Sequence, residues 1–437
     1  MTTPSHSQLE LETIRICQEL IRIPSVNFGD GKGDEKDVAA HVSKLLNEVG
    51  ITTQTYESAL GRCNVIARIK GSNPDRPGLV LHGHLDVVPA NAADWSVDPF
   101  SAQIEDGFIW GRGAVDMKNM DAMIIATVRD WVRTGYVPER DIVLAFFADE
   151  EAGSTFGSHY MVKNHPEVFA GCTEAVSEVG GFSVTVAGGK RLYLIETAEK
   201  GIHWMKLTTH GLAGHGSVMN TDNAVTRISE AVSKIGNYTW PQRYSTTVKA
   251  FFKRVAEETG KPYDEKDLQP LLKEVGFAGR MIGATLQNTA NPTMLEAGYK
   301  ANVIPGSASA VIDGRFIPGF EDELNETIRS LIGDAITIET ITRDKALEVP
   351  FEGDLVEAMC NALIKEDSVA IPVPYVMSGG TDNKALADLG IIGYGFSPLK
   401  LDADFDFMAM FHGVDERVPI EGLTFGVRVL KEFLENA

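Results

Sequence analysis

The four cysteines of this 437-residue chain, Cys17, Cys63, Cys172 and Cys360, lie far apart with no C-x-x-C pair. That excludes a zinc knuckle and a disulfide framework, and it fits a reducing compartment. Clustered Lys and Arg are also missing, and the formal net charge is -21, so nucleic acid is excluded as a partner and the acidic balance reads as a solvated surface. No hydrophobic run is long enough to span a bilayer, the longest wholly apolar stretch being Ile142–Ala148. The first twenty residues lack the basic region and apolar core of a secretory signal. The expectation is a cytoplasmic protein without membrane contact. Absent too are a G-x-S-x-G elbow, an H-E-x-x-H helix and a complete G-x-G-x-x-G loop, which removes the sequence footing of serine hydrolases, single-zinc proteases and dinucleotide enzymes.

What is present is the composition of an ordinary globular protein, 43% hydrophobic and 23% charged, on a chain long enough for two domains. Ile14, Cys17 and Ile21 recur at helical spacing within Ser7–Ile23 and stop at Pro24. Val65–Ile69, Gly78–Val88 and Asp141–Ala148 are short, apolar and rich in branched residues, as buried strands require, and a helical pattern over Met117–Val132 lies between the last two. This alternation predicts an α/β domain with a mostly parallel central sheet. From about Lys200 the order becomes β-α-β-β-α-β, that of a ferredoxin-like unit, with helices over Asn223–Gly236 and Glu321–Ile332 and a last strand over Ala335–Ile341. A charged stretch from Tyr238 to Gly283 is superfluous to such a unit and reads as an insertion. Helical and strand patterns resume after Pro350 and end in an amphipathic helix over Gly422–Glu435. The expected division is therefore a first domain over 1–199 and 344–437, interrupted by a second over 200–343 that carries the insertion at about 238–283. The cleft between them is the default place for a ligand.

Several polar groups stand where an apolar run ends. In Leu81-His82-Gly83-His84-Leu85-Asp86 the residues two apart share a strand face, so His82, His84 and Asp86 converge. A His-x-Asp pair offers a metal ligand with its support, or equally a histidine satisfied at a loop rim. Asp116, in Gly113-Ala114-Val115-Asp116-Met117, precedes a long helix, where a first-turn or capping acid is the ordinary role. Asp149, Glu150 and Glu151 follow directly on the most apolar run of the chain, and their mutual repulsion calls for a cation, with an acidic turn as the competing reading. Glu178 and His412 repeat the pattern of a ligand-type residue in an apolar context beside glycine.

Taken in order, these segments resemble the M20 family of metallopeptidases, which includes aminoacylases, carboxypeptidases, dipeptidases and succinyl-diaminopimelate desuccinylase. Lys200-Gly201, Gly214-His215-Gly216-Ser217, Asn302-Val303-Ile304-Pro305 and Ser378-Gly379-Gly380-Thr381-Asp382 also fall in that family's order. The resemblance implies a zinc-peptidase catalytic domain with a ferredoxin-like lid that serves dimerisation. It further implies two Zn²⁺ per subunit, one held by His84 and Glu178, the other by Glu151 and His412, with Asp116 bridging them. Mixed His and carboxylate sites also accept Co²⁺ or Mn²⁺. By the same resemblance Glu150 is the general acid/base, Asp86 the clamp on the His84 ring, and the Asp116–Met117 bond is often cis. His215 polarises the scissile carbonyl, often across a homodimer, while Arg315, Asn302 and the backbone at Gly380 hold the substrate carboxylate, with Thr381 beside them.

Physical chemistry agrees with these roles: three carboxylates leave two divalent ions with residual positive charge, so water there loses a proton easily, and the Arg315 fork suits a carboxylate. The implied activity is cleavage of an amide bond in a small substrate with a free carboxylate, a dipeptide, a C-terminal residue or an N-acyl amino acid. The alternatives are a desuccinylase, disfavoured because Thr381-Asp382 resembles the aminoacylase and carboxypeptidase branch, and a metal-binding homologue without turnover. Asn383-Lys384 stands where many members of that branch have Ser-Arg.

Overall fold

Ser7 starts the first helix, Gln8–Ile21, through a reciprocal cap: its side chain accepts from the Glu10 N–H at 3.3 Å and its own N–H donates to the Glu10 carboxylate at 2.6 Å. The structure, a computed structural model, describes residues 6–29 and 31–437. Ile16, Cys17, Leu20 and Ile21 are buried on one face of this helix, which packs with Lys118–Thr134 and Ile420–Leu434 as a layer over the main sheet.

That sheet is mixed. Gly78–His84 lies between Ile142–Phe147 and Cys172–Ser177, parallel to both, and Ile392–Gly395 continues the parallel set beside Cys172–Ser177. Antiparallel strands flank this centre, Thr53–Ala59 and Arg62–Ile69 on one side and Arg191–Glu199 on the other. The parallel order expected from the sequence is thus confined to the middle, together with a further parallel pair, Arg191–Glu199 with Ala370–Met377. Central strands are apolar throughout because both faces are covered. In Ile142–Phe147, Ile142, Leu144 and Phe146 join the core under the three-helix layer, while Val143, Ala145 and Phe147 join a separate cluster on the opposite face. Gly78–His84 stops short of the sequence reading, which carried it to Val88: the chain leaves the sheet after His84, and the Asp86 side chain turns back toward the strand ends.

A second, four-stranded antiparallel sheet is built from Gly201–His210, Thr289–Ala297, Ser307–Phe316 and Thr337–Asp344, in the spatial order second, third, first, fourth. This is the order of a ferredoxin-like unit. Met205, Leu207, Ala310 and Ile312 point to one face, where Ala224–Gly236 and Glu321–Ile332 cover them. Alternation sends Ile202, Trp204 and Arg315 to the other face, which looks into a cavity shared with the main sheet.

The stretch read as an insertion belongs to both bodies. Trp240 is buried with the second sheet's helices, but Val248, Phe251, Phe252 and Val255 of the helix Thr246–Thr259 are buried in the core of the main sheet, beside Ala370–Met377. No helix among the described residues is long and apolar enough to cross a membrane.

Candidate active site

Three neighbouring parallel strands end on the same side of the main sheet, where ligands of α/β proteins are bound, and each delivers an acid or imidazole there. His84 is the last residue of its strand, Glu150 and Glu151 follow Phe147, and Glu178 follows Ser177. Asp116 enters from the loop before the helix Lys118–Thr134, across a cis bond to Met117, and His412 comes from the loop before the last helix.

The Asp116 carboxylate is the centre of the arrangement. Its Oδ1 lies 3.0 Å from Nε2 of His84, and its Oδ2 lies 3.2 Å from Nε2 of His412. Glu178 approaches the same His84 nitrogen at 3.6 Å, and Glu151 the same His412 nitrogen at 2.9 Å. Two triads result, His84–Asp116–Glu178 and Asp116–Glu151–His412, each with ligand atoms within 4.8 Å of one another and each able to hold a metal ion. His84 is oriented for this: its Nδ1–H donates to the main-chain carbonyl of Asp86 at 2.9 Å, which aims Nε2 at the carboxylates.

Proton affinities report how strongly this pocket demands positive charge. Burial opposes ionisation of Asp116, yet hydrogen bonds from His412 and His84 hold its carboxyl below the usual carboxylate range. Burial pushes Glu178 up to about 8, against the opposing effect of His84. His412 is raised to about 10 by its hydrogen bonds to Asp116 and Glu151. Burial, reinforced by the neighbouring Glu178, lifts Glu150 well above the ordinary carboxyl range. With protons alone available, the cluster binds them avidly; a divalent cation answers the same field with harder, localised charge. The Glu151 Oε1, buried and without a hydrogen-bond partner, is a free ligand atom in this set, and the mixture of imidazole and carboxylate suits zinc and its neighbours. The residues present therefore fit a metal centre.

The supports around the cluster are mostly long-range contacts. The Asp86 carboxylate lies 3.6 Å from the His84 ring and accepts closer bonds from the Glu150 and Glu151 N–H groups, both at 3.1 Å, and from Asn27 at 2.8 Å. It thereby fixes the two glutamates as well as flanking the imidazole. Asp149, the first of the three tandem acids, faces away: it accepts from Arg62, from Asn27 at 3.0 Å and from the Phe156 N–H at 3.0 Å. Fully buried Glu416 gathers the N–H groups of Gly113, Val115 and Asp116 at 3.0, 2.8 and 3.3 Å and the Arg112 guanidinium at 2.7 Å, holding the Asp116 loop from behind. Asp149, Val179 and His412 all have left-handed φ values, +68°, +55° and +57°, so backbone strain concentrates at this site. His82 does not join the cluster. It is buried against Asn383 at 2.9 Å, and desolvation lowers it to about 4.

Above the cluster lies a cavity of about 940 Å³ between the two sheets. Glu150, Arg315, Gly380 and Thr381 line it. Arg315 reaches it with two of its donors already spent on Asp313, at 2.7 and 3.2 Å. The Thr381 hydroxyl and N–H are likewise engaged, donating to Glu199 at 2.6 and 2.9 Å. His215 and Asn302 are not at this cavity. His215 sits on a two-residue ladder, Gly214–His215 with Val303–Ile304, and Asn302 directly precedes the second of these strands; both are exposed, and the His215 Nδ1 lies 2.8 Å from the Ser217 hydroxyl.

Asn27 and Glu416 escaped the sequence reading. Asn27 had no local signal at all, whereas Glu416, an acid four residues from His412, carried a weak one.

Residues 80–436 match the model of peptidase family M20/M25/M40. The chain is 26% identical to the N-fatty-acyl-amino acid synthase/hydrolase PM20D1 of Mus musculus, over 98% of this chain and 89% of that protein. It is 29% identical to a probable carboxypeptidase S-like 2 of Dictyostelium discoideum, over 96% of this chain and 85% of that one. Among solved structures, the M20 family metallo-carboxypeptidase Sso-CP2 of Sulfolobus solfataricus has the same fold, with a TM-score of 0.74 at 19% identity, covering 97% of this chain and 99% of that one.

Proposed function

The chain belongs to peptidase family M20/M25/M40 and is a hydrolase of amide bonds, and on that premise we propose that it cleaves a small substrate with a free carboxylate, at a centre of two Zn²⁺ ions. One observation carries the reading: Asp116 presents one oxygen to each of two His–carboxylate pairs. His84 and Glu178 are assigned to one ion, Glu151 and His412 to the other, and Asp116 to both. Ions bound there supply Lewis-acid polarisation of a carbonyl and an acidified water.

The chain's own residues do the rest. Glu150 is positioned by the Asp86 carboxylate through its N–H, is left out of both triads and stands at the cavity. It takes the proton of the attacking water and delivers it to the leaving nitrogen. Arg315 and the backbone at Gly380 are assigned to the substrate carboxylate. The relatives named for N-acyl amino acids and for carboxypeptidase action support a dipeptide, a C-terminal residue or an N-acyl amino acid as substrate.

The reading includes a homodimer, because His215 and Asn302 lie exposed and away from the cavity of their own chain, beside exposed Val218 and Met219. Light scattering should return the mass of two chains; a mass near 47.5 kDa contradicts this part. The reaction itself is tested by incubating the zinc-loaded protein with dipeptides, N-acyl amino acids and N-succinyl-diaminopimelate and following release of free amine. Cleavage of the first two classes is expected. Exclusive cleavage of the succinyl substrate, or none at all, refutes the assignment.

A further inference from the structure

We propose that the 238–283 stretch is the specificity element of this site: through Met281 it builds an apolar wall that selects ligands carrying an extended, flexible hydrocarbon arm beside their carboxylate. The proposal rests on the amide-cleaving reading for the place of the scissile bond, but the binding preference stands apart from turnover.

A ferredoxin-like unit needs no such stretch, and a surface decoration would not be buried in the main core. Here the chain leaves the second sheet's helices at Trp240, sinks Phe251, Phe252, Leu271 and Val275 into the core of the main sheet, and reaches the cavity at Met281, on the short helix Gly279–Gly283. Met377, Met408 and Phe411 line the same cavity. The last two belong to the loop that ends in His412.

The two pieces are tied together. Arg280 pairs with Asp406 at 2.8 Å, and the Phe407 ring packs on Phe411 and Phe182, both at 5.1 Å between centroids. The exit of the stretch is anchored as well: the buried Lys200 ammonium donates to the carbonyls of Ala284 and Gln287 at 3.0 and 2.8 Å, across the strand junction between the two sheets. Met281 therefore lines the cavity from a segment tied to the loop that carries Met408, Phe411 and His412.

The chemistry of the wall defines its ligand. None of Met281, Met377, Met408 and Phe411 brings charge, whereas the charged groups of the cavity outside the metal cluster, His159, Lys163, Arg315, Arg343, Asp344 and Lys384, come from other segments. Unbranched, polarisable methionine side chains adapt to chains of differing length better than rings or branched residues do. A volume of about 940 Å³ is near the top of the roughly 300–1,000 Å³ span of small-molecule sites, far more than an acetyl group or an alanine side chain occupies. Each methylene moved from water onto such a wall tightens binding by roughly fourfold when fully buried.

The test uses uncleavable probes on the zinc-loaded full chain. Octyloxyacetate and ethoxyacetate share a carboxylate, lack an amide, and differ in hydrocarbon length. Calorimetry should show the octyl compound binding at least about 100-fold tighter. Met281→Gln, close in shape but polar, should cut that ratio by about tenfold or more, while Met281→Leu should keep it. A wild-type ratio below about tenfold, or a ratio that Met281→Gln leaves within about threefold of wild type, overturns the proposal. If the octyl preference and its Met281 dependence hold while no amide in the panel is cleaved, the amide-cleaving reading fails and this one stands. Amides cleaved without chain-length preference overturn only this one.

Discussion

Glu150→Gln should lower turnover by about 10³-fold or more while leaving metal content unchanged. General acid–base catalysis typically contributes 10²–10⁴-fold, and one carboxylate is here asked to act in both directions, so the effect belongs at the upper end. Gln keeps the side chain's shape and the Glu150 N–H keeps its bond to Asp86, so the main-chain position is preserved. Neither triad uses the Glu150 side chain, which is why metal binding should survive. Single-turnover amine release with metal analysis on the same sample separates the two effects. Undiminished turnover removes Glu150 from the chemistry, and loss of metal would make it a ligand instead.

Asp116→Ala should strip the site of metal and bring turnover to background. The single carboxylate is common to both triads, so its loss leaves each with one imidazole and one glutamate, too few donors for a stable zinc site. Removing even an outer partner of a metal ligand costs roughly 10–100-fold in affinity, and a shared ligand should cost about 100-fold or more. The loop itself should keep its course, because the Asp116 N–H is held by Glu416 whatever its side chain. In the metal-free protein, however, the ionised carboxylate is held by His84 and His412, so the metal-free variant should still fold but melt below metal-free wild type. Retention of two ions with wild-type affinity would show that Asp116 is not shared.

Much of the catalytic half was legible because its signals are local. A run as apolar as Ile142–Ala148 reads as a strand covered on both sides, and acids after it fall at the crevice beyond the strand ends. The same logic places His84 and Glu178. Sequence alone could not rank the three tandem acids. Asp149 faces Arg62, on a strand 87 positions away, and only that distant partner separates it from Glu150 and Glu151. Asn27 and Glu416 were hidden for the same reason, their bonds to Asp86 and to the Asp116 loop spanning 59 and 300 positions. The dual attachment of the 238–283 stretch was equally silent, since an amphipathic helix declares a buried face but not which core buries it. His215 shows a further limit: the resemblance implies a catalytic role, while the residue stands on an exposed ladder away from the cavity of its own chain.

Paired metal ions, held by His84, Glu178, Glu151 and His412 around Asp116, should be required for amide cleavage. The most direct measurement is turnover of an N-acyl amino acid by metal-stripped protein as zinc is returned in counted equivalents, with bound zinc determined in the same samples. Negligible turnover is expected without metal, and full activity when two ions are bound per chain. Turnover that persists in the stripped protein, or that is complete at one ion per chain with no second site filling, contradicts that requirement.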